Sequence, residues 1–143
     1  MAMSKMTPTD TGLLILRIGI GLMFMVFGWG KITGGPEKWE QLGQAMGSLG
    51  ITFAPTFWGF MAAFTEFFGG LALFLGVFVR PFAALLCFTM VVAATMLIRS
   101  GATLVKYSHA VDMAIVFLAV VFIGGGKYAL GRRIGPLHGK WFQ

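Results

Sequence analysis

Charge is scarce in this chain, and acid is scarcer still. Of 143 residues, 11% are Asp, Glu, Lys or Arg and only five are acidic, while 57% are hydrophobic. A well-behaved soluble surface is about 25–35% charged, so this composition excludes a water-soluble globule and calls for an apolar solvent. Cysteine is nearly absent as well. Cys87 stands alone in an apolar run, which excludes an intrachain disulfide or a CxxC redox pair and reads as a small buried hydrophobe. There is no haem, flavin or nicotinamide signature, so any electron donor has to be another protein. Long polar stretches are missing too, and residues 1–143 read as a single transmembrane domain with no separate soluble part.

The charge that is present leans basic, with a net value of +6. Such an excess can mark nucleic-acid binding, but here Lys and Arg gather at the ends of apolar runs, where they set topology and meet anionic lipid. The lipid bilayer is the expected partner, and nucleic acid is not.

Four apolar runs can cross a bilayer, which takes about 20 residues. They cover about 12–31, 56–79, 82–99 and 106–124. The second is the centre of the problem, because it carries one ionisable residue, Glu66, near its middle. A carboxylate at that depth costs roughly 2.5–3.5 kcal/mol on insertion scales. Glu66 is therefore expected to face other helices or trapped water, either protonated or paired with a cation. Gly59, Ala62, Ala63, Gly69 and Gly70 on the same helix let a second backbone come close.

The first run follows candidate caps at Thr9, Asp10 and Thr11, which predict a helix start near Gly12. Lys5 ahead of an apolar run resembles a signal peptide, but Arg17 interrupts the run and no small-x-small cleavage site follows, so the helix is read as retained. Arg17, Gly21, Phe24, Gly28 and Lys31 recur at helical spacing and share one stripe. Snorkelling to an interface accounts for Lys31, whereas Arg17 lies more than a turn inside. Between Thr33 and Pro55, breakers alternate with Trp39, Leu42, Met46 and Leu49. This pattern predicts a short interfacial helix over 37–48, its apolar side toward the membrane, able to cover the mouth of a bundle. Arg80 and Pro81 predict an abrupt end to the second span and a tight hairpin into the third. The third span is almost wholly apolar and reads as a wall without chemistry. In the first turns of the fourth, His109 and Asp112 stand three residues apart on one face.

Four spans joined mostly by short connections predict an all-α, antiparallel four-helix bundle, with both termini on one side. That side holds Lys5, Arg80, Lys127, Arg132, Arg133 and Lys140 against Lys31, Lys38, Arg99 and Lys106 on the other. The excess predicts cytoplasmic termini.

The pattern resembles the DoxX family of small four-helix bacterial membrane proteins, to which the small subunit of thiosulfate:quinone oxidoreductase is related. The matching pieces are Leu16-Arg17 with Gly19 and Gly21, then Gly28-Trp29-Gly30-Lys31, then Glu66-Phe67-Phe68-Gly69-Gly70 and Gly76-Val77-Phe78-Val79-Arg80. The resemblance implies a multi-pass protein of the bacterial inner membrane, associated with oxidoreductase systems. It also implies an acidic residue early in the last helix region, a place that His109 and Asp112 occupy.

Two uses of the inserted polar groups stay open. In one, Glu66 takes a cationic partner, Lys31 or Arg17, and merely sets helix register, in a non-catalytic assembly or interaction subunit. In the other, Glu66, His109 and Asp112 line a cavity and handle protons. A quinone would suit that second use, its head near Glu66, Lys31 and Arg17 and its ring flanked by aromatic groups such as Trp29, Phe64 and Phe67. A partner oxidoreductase would then supply electrons, and a homo-oligomer is compatible with either use. Whether the chain itself catalyses a reaction stays open. Glu66, His109 and Asp112 are acceptable metal ligands in type but lack a ligand spacing, and no metal site is assigned. His138 reads as a solvated residue, and Trp141 and Phe142 as interfacial anchors of the tail.

Overall fold

The computed structural model describes residues 7–134, so His138, Trp141, Phe142, Lys5 and Lys140 lie outside the described residues. Its architecture is an all-helical bundle. Four long helices, α1 (Pro8–Ile32), α3 (Pro55–Leu75), α4 (Val79–Arg99) and α5 (Leu104–Ile123), are long and apolar enough to cross a membrane. A short helix α2 (Gly35–Gly43) and a 3₁₀ turn (Gln44–Leu49) link α1 to α3.

Helix α1 begins four residues earlier than its cap signals suggested. Thr7 is the cap, accepting a hydrogen bond from the Asp10 amide at 3.3 Å, and Pro8 occupies the first turn, where its missing N–H is no loss. The same rule moves the hairpin between α3 and α4. Helix α3 ends at Leu75, because Gly76 adopts a left-handed conformation (φ 73°) whose amide closes onto Ala72 at 2.8 Å. Arg80 and Pro81 thus start α4 rather than terminating α3.

Helix α3 lies at the centre, with α1, α2 and α4 packed around it. The α1–α3 crossing is a backbone contact made possible by glycine. A Cβ on Gly21 would sit 2.7 Å from the Gly70 carbonyl oxygen, and one on Gly28 would collide with the Phe67 backbone. On the other side, α5 rests mainly on α4 and reaches α1 through Phe117, whose ring meets Phe24 edge-on at 4.9 Å. Phe24, Leu73, Val79, Leu86, Met90 and Val120 complete this buried core.

The connection after α1 differs from expectation in its orientation. Gly43 lies against the Pro55 carbonyl and Gly59 against the Trp39 carbonyl, so α2 seats its backbone directly on α3. Trp39 and Met46 are consequently turned to the bundle rather than to the membrane, with the Trp39 ring 5.0 Å from that of Phe60. Two small residues at one crossing decide this, because they let the helix dock closer than lipid could fill.

Candidate functional site

Glu66 projects from the middle of α3 and is 3% exposed. Lys31, in the last turn of α1, reaches it from above the Gly28 crossing. The Lys31 Nζ lies 2.6 Å from both carboxylate oxygens, a doubly donated ion pair. Two local features hold Lys31 in place. Gly28, one turn earlier, brings α1 against α3, and the Trp39 indole Nε1 donates at 3.0 Å to the Lys31 carbonyl, which also accepts from the Gly34 amide at 3.2 Å. The carboxylate is therefore compensated but remains at the edge of open space.

That space is a cavity of about 380 Å³ between α2, α3 and α4, roofed by the 3₁₀ turn. Its size falls within the roughly 300–1,000 Å³ of small-molecule sites. Helix α2 supplies Leu42 and the 3₁₀ roof Ala45 and Met46; α3 supplies Phe57, Trp58, Met61, Ala62 and Thr65; α4 supplies Leu85, Phe88, Thr89, Val92, Ala93 and Met96. Lys31 and Glu66 are the charged residues of the lining, and Gln41, Thr65 and Thr89 add neutral polar groups. The arrangement can hold an apolar body while offering one end a cation and a carboxylate.

Of the residues singled out in the sequence, Lys31 and Glu66 meet and the others do not join them. Arg17 is fully buried about four turns before Lys31 on α1, where its Nη1 donates to the carbonyl of Gly125 beyond α5. Trp29 and Phe67 pair with each other at 5.7 Å but do not line the cavity. His109 and Asp112 sit together on an exposed face of α5, a helix that contributes nothing to the lining. Among the described residues no group of three His, Cys, Asp or Glu side chains converges on a point.

The wall from α4 was not recognised as part of a site. Its residues recur at alternating spacings of three and one, which marks one helix face, and Thr89 and Ala93 make that face smaller and more polar than the rest. A helix face identifies a contact, however, and not the hollow in front of it.

The DoxX family profile matches residues 12–99, well over half of the chain. The chain belongs to the DoxX family. A curated relative, Inner membrane protein YqjF of Escherichia coli (strain K12), is 31% identical over 137 residues, covering 92% of this chain and 96% of that protein. No solved structure matches. The segment shared with the DoxX profile contains Lys31, Glu66 and every other residue of the cavity lining, while α5 lies beyond it. With four spanning helices and this kinship, the DoxX-family chain is a multi-pass membrane protein.

Proposed function

We propose that this protein is a quinone-linked, proton-handling component of the bacterial inner membrane that acts with a partner oxidoreductase. The observation that carries the reading is the Lys31–Glu66 pair opening onto a largely apolar cavity. The residues suit an isoprenoid quinone. Phe57, Met61, Phe88 and Met96 provide apolar surface for ring and tail, Lys31 can donate to a carbonyl oxygen, and Glu66 can pass a proton to it. The indole N–H of Trp58, another lining residue, is buried without an acceptor among the described residues, a further donor for a carbonyl. A quinone bound there would take electrons from the partner and an equal number of protons through the site. The partner is required because the chain carries no electron-transfer signature of its own.

The inner-membrane placement follows the relative's description, and the Lys and Arg distribution supports cytoplasmic termini. The test is extraction of quinone from the purified protein, compared with Glu66→Gln and Ala62→Phe. Ala62→Phe fills the cavity while keeping both members of the ion pair in the sequence. Wild type should retain quinone and both variants should lose it; retention by both variants, or none in wild type, overturns the reading. The doubly donated geometry of the ion pair favours a second reading, a non-catalytic assembly subunit in which the pair sets helix register. It predicts a stable protein partner and no bound quinone.

A further inference from the structure

Among the described residues, nothing covers one stripe of helix α5. Val105, Ile115 and Phe122 are 83%, 62% and 74% exposed, and His109, Asp112 and Ala119 are exposed on the same side. Their spacings of four, three, three, four and three trace one helical face. Apolar groups on such a face can meet lipid. Asp112 cannot do so at acceptable cost if it lies deep, and its depth follows from the register of α5 against α4.

Two contacts set that register. Arg80 Nη2 donates to the Phe122 carbonyl at 3.2 Å, and Cys87 Sγ to the Ala114 carbonyl at 3.4 Å. Continuing the antiparallel alignment places Asp112 level with about Thr89, midway along α4 between Val79 and Arg99. The carboxylate therefore lies near the bilayer centre, facing away from the bundle. Among the described residues it has no hydrogen bond and no ion pair, and neither has His109. An intramembrane carboxylate needs a partner, and none of the described residues supplies one.

We propose that this face of α5 is a homodimer interface across which His109 of each copy donates to Asp112 of the other. A two-fold axis along the membrane normal sets the two α5 helices parallel, so the same layers meet. The acid and the imidazole stand one turn apart on one face, which makes the patch complementary to itself: two copies form two reciprocal pairs. A different protein would have to bring its own cation, whereas a second copy already carries the donor. Ala119 on the same stripe permits a close crossing. The inference does not depend on what occupies the cavity, which lies on the far side of α4 from this face.

The test uses the full chain in native membranes, with Cys87→Ala as background and Ala119→Cys as reporter. Oxidation should give a cross-linked dimer, shown to contain two copies by co-expressing differently tagged chains. Ile15→Cys, on an exposed face of α1, should give none. His109→Asp should abolish the cross-link by setting acid against acid, and His109→Asp combined with Asp112→His should restore it. Restoration also excludes misfolding as the cause of the loss. No cross-link at Ala119→Cys, a cross-link only to another protein, or an undiminished dimer in His109→Asp each overturns the proposal.

Discussion

Lys31 and Glu66 are 35 residues apart in sequence, yet the ammonium lies 2.6 Å from both carboxylate oxygens, and the two ends of the pair differ in burial. The Lys31 side chain is 30% exposed and that of Glu66 only 4%. Deleting the cation strands a buried carboxylate, whereas neutralising the acid leaves a lysine that still reaches solvent. Lys31→Met should therefore destabilise the protein by about 3 kcal/mol, as for breaking a buried pair from one side. Glu66→Gln, which keeps shape and one acceptor, should cost only about 1 kcal/mol. Unfolding in detergent checks the ranking, and equal losses would show that the pair is not asymmetric.

Gly28→Leu should separate α1 from α3, because its side chain would occupy the volume of the Phe67 backbone. Overpacking of this kind costs about 1–3 kcal/mol or more, and a helix crossing has no flexible neighbour to yield. A lowered thermal midpoint together with loss of the Lys31–Glu66 contact is the expected outcome. Gly30→Leu, where nothing lies within 4 Å of the Cβ position, should be neutral.

Arg17 ties α1 to the loop after α5 through the Gly125 carbonyl, and that tie spans 108 residues of sequence. Arg17→Met keeps much of the packing volume and removes the donors. Amide hydrogen exchange should rise at 124–131 in this variant and stay unchanged at 35–49, on the opposite side of the bundle. A uniform rise across the protein would instead mean that Arg17 supports the whole bundle.

Reporter fusions at residue 134 and within 37–48 should report opposite sides of the membrane, with the former cytoplasmic. The warrant is the excess of Lys and Arg on the side of Arg80, Lys127, Arg132 and Arg133. An external reporter at residue 134 contradicts it.

The number of spans, the membrane environment, the glycine seam of α1 and the need for Glu66 to be neutralised or paired inside the bundle were all legible in the amino-acid order. Each is a property of one helix in one solvent, so periodicity, length and insertion cost suffice to read it. Which cation Glu66 takes was not legible, because Arg17 and Lys31 lie on the same stripe of α1 and only the height of the α1–α3 crossing chooses between them. Gly21 on Gly70 and Gly28 on Phe67 fix that height, putting Lys31 beside Glu66 and Arg17 beside Gly125. The cavity was equally out of reach. It is a space bounded by three elements, and its existence depends on α2 docking through Gly43 and Gly59 instead of lying in the membrane surface. His109 and Asp112 show the same limit: their spacing placed them together on one face of α5, but only the packing of that helix on α4 decided that the face points outward.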